Sequence, residues 1–170
     1  ITRKQSISHV KERLKLAKKV DEIIICTSSA EQDKPLAKIA KDNNVKCFFG
    51  DPDDVLLRMY DASKKYNLDY ILTITADSPF VDPSYADSIV DTYQKTGADL
   101  IRQFDLPHGV FSYGIKVKAL KKVIEIKDTS DTEVWGRYFT DTGIFNVVDF
   151  EVTNNFHKRP GMRMTLDYPE

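Results

Sequence analysis

Runs of β-branched and aliphatic residues, alternating with amphipathic segments, constrain this chain more than any other feature. Ile23-Ile24-Ile25 lies between Glu22 and Cys26, with no polar residue to turn one face toward water. A continuous apolar run of this kind marks a strand buried on both faces, as in parallel sheets covered by helices. Residues 45–49 and 70–75 form two further strand-like runs. Between them the period changes. Residues 7–19 set Ile7, Val10, Leu14 and Ala17 at helical spacing, with Lys, Arg and Glu on the other face. Residues 34–43 read as a short helix with Pro35 in its first turn. Residues 51–66 read as a helix whose start is crowded by Asp51, Asp53 and Asp54, where the helix dipole favours negative charge. Residues 83–95 form the next helix, with Asp82 as N-cap and Gly97 just past the end. Repeated strand–helix–strand units predict an α/β fold with a mostly parallel sheet flanked by helices.

The second half is less regular. Strands are expected over 98–102, 113–117, 145–152 and 163–166, and helices over 117–126 and 131–140, the last weakened by Gly136. Strands without crossover helices between them predict antiparallel additions at one edge of the sheet. The length, 170 residues, fits one domain over 1–170. A net charge of −1 gives no electrostatic case for nucleic acid or a membrane surface as partner. No apolar run approaches the roughly 20 residues that span a bilayer, and no signal-peptide core opens the chain. Cys26 and Cys47 lack metal or redox spacing, so they read as plain buried thiols, which fits a reducing cytoplasm.

In open α/β sheets ligands bind beyond the carboxyl ends of the strands, so residues just after each strand come first. The run Ile74-Thr75-Ala76-Asp77-Ser78-Pro79-Phe80 ends a buried strand in a carboxylate. Arg163-Met164-Thr165-Leu166-Asp167-Tyr168-Pro169-Glu170 does so again. Each aspartate either caps a turn or projects into the crevice as an oxygen ligand for a hard cation. Arg58 either pairs with Asp54 at i, i+4 or borders the crevice. Ser28 and Ser29 with Asp33 either start the next helix or face a ligand. His108, after Pro107 in a loop, either contacts substrate or is an exposed loop residue. His157-Lys158-Arg159, with Arg163 beyond, is a small basic cluster that is either a solvated turn or an anion contact. Trp135, Tyr138 and Phe139 at helical spacing read as core or subunit-face residues. No residue stands out as a covalent nucleophile.

The stretches ISHVKERLKLAKKVDEIIICTSS, VKCFFGDPDDVLLRMYDASKKYNLDYILTITADSPFVDP and RMTLDYPE resemble the cytidylyltransferase family. That family includes CMP-Kdo synthetases, acylneuraminate cytidylyltransferases and SpsF-type spore coat polysaccharide proteins, and the resemblance is nearest to the last. It implies a GT-A-like nucleotide-diphospho-sugar transferase fold. It also implies a reaction of CTP with an acidic sugar of the 2-keto type, releasing pyrophosphate and giving a CMP-sugar for surface polysaccharide. Asp77 and Asp167 match the family's acidic residues that serve Mg²⁺ and catalysis. Thr27, Ser28, Arg58 and Thr75 fall where the nucleotide is bound. Relatives often form homodimers through the second half, which makes the segment around Trp135 the implied contact.

The departures matter as well. The family opens on a phosphate loop of the type ARMGSTRLPGK, which is expected before Ile1. The chain opens on Ile1 and closes inside a motif, so both ends are expected to continue. HGVFSYGIKV stands where relatives carry a stretch like DGLDVEVFS, and TEVWGRYFTDTG where they carry EREHVTPY. A different acceptor pocket is therefore expected. Two alternatives remain at this point: a GT-A glycosyltransferase, and a non-catalytic nucleotide-binding relative.

Overall fold

The computed structural model describes residues 5–167. The opening ITRK and the closing Tyr168-Pro169-Glu170 of the second motif lie outside the described residues. The elements are α1 (Ser6–Leu14), β1 (Ile24–Ser28), α2 (Pro35–Asp42), β2 (Lys46–Gly50), α3 (Val55–Lys65) and β3 (Tyr70–Thr73). They continue as α4 (Pro83–Thr96), β4 (Leu100–Arg102), β5 (Tyr113–Lys116), α5 (Val117–Ile126), α6 (Arg137–Thr140) and β6 (Val147–Asp149). No helix among the described residues is long and apolar enough to cross a membrane.

The alternation read from the sequence is present. β1 pairs in parallel with β2, Cys26 opposite Phe48. A four-stranded sheet has the order β3-β5-β4-β6. In it β4 and β6 are parallel, and β5 runs antiparallel to both β3 and β4. The antiparallel addition expected at an edge therefore lies inside the sheet. It fits there closely at Gly114, where a Cβ would sit 1.9 Å from the Tyr70 hydroxyl and 2.6 Å from Ile89. A side chain at this position would crowd Tyr70 of β3 and Ile89 of α4. Among the described residues, β1 and β3 each have a second edge with no strand partner.

The main core lies between α3, α5 and the four-stranded sheet. Leu56 and Met59 meet Ala119, Leu120 and Val123, with Leu100, Ile115 and Phe139 completing the cluster. A second cluster seats α1 on α4 and β3 through Val10, Leu14, Val81 and Ala86. Asp82 caps α4 by accepting from the Ser84 amide at 2.8 Å, and Gly97 ends it at φ 63°. Both roles follow the sequence reading.

The expected helix over 51–66 starts late, at Val55, because Asp54 is its N-cap. Asp51 precedes it and accepts the amides of Asp53 and Asp54 at 2.9 and 2.8 Å, bonds that hold its carboxyl below the usual range. The Asp54 side chain is buried. Its Oδ1 accepts from the Leu57 amide at 3.0 Å and the Thr132 hydroxyl at 2.9 Å, and its Oδ2 pairs with Lys127. Thr132 also accepts the Leu56 amide at 3.0 Å. This use of Thr132 in an extended segment is why only Arg137–Thr140 of the expected 131–140 helix forms. Residues 163–166 form no strand, only a single bridge from Arg163 to His108.

Replacing Asp54 by Ala takes the ion-pair partner from the largely buried Lys127, which keeps only the Thr129 carbonyl at 2.9 Å, and removes the acceptor of the Thr132 hydroxyl. Removing one member of a buried pair costs about 3–5 kcal/mol. Asp54→Ala is expected to lose stability on that scale in urea denaturation, against about 1.5–3 kcal/mol for Thr132→Val, which removes one hydrogen bond to the charged carboxylate and leaves Lys127 paired.

Candidate active site

The chain leaves β3 through a turn in which the Ser78 amide donates to the Thr75 carbonyl at 3.2 Å. Asp77 is half-buried in that turn. Its Oδ1 accepts from the Thr75 hydroxyl and from the Ser78 hydroxyl at 3.2 Å. Ser78 is itself buried. These neutral donors fix the carboxylate without cancelling its charge.

The segment 162–167 is laced against this turn. The His108 amide donates to the Met162 carbonyl at 2.9 Å and the Met164 amide to the His108 carbonyl at 2.8 Å. The Leu166 amide then donates to the Asp77 carbonyl at 2.8 Å. That bond joins the backbones of the two aspartate-bearing motifs. Gly109 permits the approach: its φ is 92°, and a Cβ there would lie 2.8 Å from Thr165 Cγ2 and 3.1 Å from the Met164 carbonyl carbon.

Asp167 is held differently from Asp77. Arg163 grips it in a fork, Nε to Oδ2 at 2.5 Å and Nη2 to Oδ1 at 2.9 Å. The Thr165 hydroxyl adds a bond to Oδ2 at 2.6 Å. Arg163 first, then Thr165, holds this carboxyl well below the usual carboxylate range. Both motifs share one pattern that the sequence reading missed. Thr75-Ala76-Asp77-Ser78-Pro79 and Thr165-Leu166-Asp167-Tyr168-Pro169 are each T-x-D-x-P. In each, the threonine hydroxyl bonds the aspartate two residues later.

A groove of about 610 Å³ runs between β1 and β3, floored by Met59 and Ala62 of α3. Thr27, Arg58 and Thr75 all line it. The Arg58 guanidinium does not pair with Asp54. Its Nη1 donates to the carbonyls of Asp51 at 2.7 Å and Pro52 at 3.2 Å. Ser28 is apart from the groove lining: its hydroxyl bonds Asp33 and accepts the Ala30 amide at 3.2 Å, which builds the turn before α2. Cys26 lines the groove, and burial pushes its thiol up to about 11 against a smaller opposing pull from Arg58. It therefore stays protonated at neutral pH and offers no nucleophile. Both cysteines are free and partly buried rather than fully so.

The remaining candidates are placed as follows. His108 is exposed beside the Asp167 segment. His157 Nδ1 meets the Tyr85 hydroxyl at 2.7 Å, and Arg159 Nη1 bonds the carbonyls of Asn155 and Lys158. Trp135 packs edge-on against Tyr113 and Phe139 within the fold.

The donors at the two aspartates are all oxygen, which suits a hard cation. Among the described residues no group of three or more His, Cys, Asp or Glu gathers as a cage. Carboxylate oxygens are the donor type that Mg²⁺ takes beside phosphates and water.

A family profile described as cytidylyltransferase matches residues 3–145. An uncharacterized protein of Methanocaldococcus jannaschii is 32% identical over 158 residues, covering 92% of this chain and 65% of that protein. The spore coat polysaccharide biosynthesis protein SpsF of Bacillus subtilis is 24% identical over 153 residues, covering 88% and 63%. The chain thus spans a little under two thirds of these curated relatives. Among solved structures, a cytidylyltransferase from Leptospira borgpetersenii superposes with a TM-score of 0.84 at 24% identity, covering 96% of this chain and 70% of that one. A CMP:2-keto-3-deoxy-manno-octonic acid synthetase complexed with CTP superposes at 0.66 with 13% identity, covering 86% and 78%. The fold is that of the nucleotidyltransferases, in agreement with the GT-A-like expectation.

Gly109→Ala forces an unfavourable backbone angle and a Cβ against the Met164 backbone. A strained position of this kind costs about 1–3 kcal/mol. The variant is expected to lose stability on that scale in chemical denaturation, and hydrogen exchange at the Leu166 amide is expected to speed up as its bond to Asp77 loosens.

Proposed function

Because the chain belongs to the cytidylyltransferase family, we propose that it activates a sugar acid of the 2-keto type with CTP, giving a CMP-sugar and pyrophosphate for surface polysaccharide synthesis. The observation that supports this reading best is the 2.8 Å bond from the Leu166 amide to the Asp77 carbonyl. It sets two acidic motifs, distant in sequence, side by side at the end of an apolar strand.

In this reading the sugar hydroxyl oxygen attacks the α-phosphorus of CTP, a P–O bond forms there, the bond to the pyrophosphate oxygen breaks, and the hydroxyl proton passes to water. Asp77 and Asp167 hold Mg²⁺, which when bound neutralises charge on the phosphates. The chain's own share is positioning and fixed charge. Thr75 and Ser78 hold the Asp77 carboxylate in place, and Thr165 does the same for Asp167. Thr27, near the carboxyl end of β1, and Arg58 of α3 border the nucleotide in this reading. The phosphate loop that the resemblance puts before Ile1 belongs to this reading. The strand leading into it would lie in the groove, where the free edges of β1 and β3 offer backbone partners on both sides. The protein works in the cytoplasm as a homodimer in this reading. With Trp135 packed inward, the exposed Val134 and Ile144 are what that segment offers a second copy.

Pyrophosphate release, measured for each nucleoside triphosphate against a set of acidic sugars, tests the substrates. CTP with a 2-keto sugar acid is expected to give the signal, and transfer from a nucleotide-sugar donor without pyrophosphate would identify a glycosyltransferase instead. Asp77→Asn in the full-length polypeptide is expected to lower turnover by about 10²–10³ with an unchanged circular dichroism spectrum. A rate within a few-fold of wild type would remove Asp77 from the chemistry.

A further inference from the structure

Both aspartates are oriented by threonine hydroxyls, but only Asp167 also carries a cationic guard. A carboxylate offers about four acceptor sites. On Asp167 three are taken: Nε of Arg163 and the Thr165 hydroxyl on Oδ2, and Nη2 of Arg163 on Oδ1. A cation bridging to Asp77 would bind an Asp167 oxygen at about 2.0–2.1 Å. It would either displace the guanidinium or sit directly beside it, like charge against like charge. The guanidinium gives way more readily, since its side chain is 59% exposed. The Arg163 backbone, by contrast, is pinned on either side by the two bonds between His108 and residues 162 and 164. A guanidinium that leaves Asp167 therefore swings about a backbone fixed beside that carboxylate. The planar fork that fits a carboxylate fits a phosphoryl group equally well.

We propose that Arg163 is an exchange residue: it holds Asp167 until a divalent cation takes that carboxylate, and its guanidinium then binds an anionic oxygen group of a substrate, either the pyrophosphoryl group or the acceptor carboxylate. The inference rests on the nucleotidyl-transfer reading above and adds an order to it. Cation and nucleotide enter first, and their entry creates the anion contact.

The test uses Arg163→Met and Arg163→Lys in the full-length polypeptide. Mn²⁺ binding without nucleotide, followed by electron paramagnetic resonance, reads the guard. An exposed ion pair is weak, so Arg163→Met is expected to tighten Mn²⁺ by up to about fivefold, with Arg163→Lys between it and wild type. Unchanged or weakened Mn²⁺ affinity would overturn the exchange. Two further measurements locate the group received: pyrophosphate affinity by calorimetry and KM for the acidic sugar. One of them is expected to weaken at least about tenfold in Arg163→Met, as for a lost charge-assisted fork, with partial recovery in Arg163→Lys. A shift in pyrophosphate binding assigns the phosphoryl group, and a shift in acceptor KM assigns the sugar carboxylate. If neither moves, the proposal fails. Asp77→Asn separates this from the underlying reading. If it binds Mn²⁺ as wild type does, the metal site itself is wrong. If it loses Mn²⁺ while the Arg163 variants change nothing, only the exchange is wrong.

Discussion

A single buried carboxylate holds the two halves of this molecule in register. Asp54 caps α3, receives the Thr132 hydroxyl and pairs with Lys127 beyond the end of α5. Burying such a charge is tolerable only when its partners are complete, so α3 and the 127–132 segment come together in one arrangement. α3 floors the groove and carries Arg58, whose guanidinium is spent on the carbonyls that lead into the same cap. The shape of the groove wall is therefore set by a network that touches no candidate catalytic residue.

The first half of the fold was readable because its signals are local. Ile23-Ile24-Ile25 announced β1, and Asp82 and Gly97 bracketed α4 as expected. The place of β5 was not readable. Periodicity reports that a strand exists, not which edges it joins, and the close fit at Gly114 involves Tyr70 and Ile89 far away in sequence. The 131–140 segment failed for a similar reason: Thr132 has an i, i+3 pattern around it but is claimed by α3.

The candidate site divides along the same line. Asp77 and Asp167 were visible as carboxylates after apolar runs, and the backbone brings their motifs together. Thr27, Arg58 and Thr75 share a groove, whereas Ser28 is used up in a turn. What escaped notice was the internal echo between the two motifs. Each places a threonine two residues before its aspartate and a proline two after, so one local device for aiming a carboxylate is used twice on unrelated stretches of chain. The Arg163 fork breaks the symmetry and gives the second carboxylate a different electrostatic setting from the first.

The interior position of β5 carries a consequence for how the molecule assembles. β3 and β4 are synthesised first, yet in the finished sheet they never touch, because the later strand lies between them. Until Lys116 has been made, both present unsatisfied edges, a state prone to mispairing with neighbouring chains. Completing the sheet requires β5 to pair on both of its edges, and its contacts with β3 are distant in sequence, the kind that slows folding. Gly114, where a Cβ would meet the Tyr70 hydroxyl and Ile89, is where the arriving strand has least room.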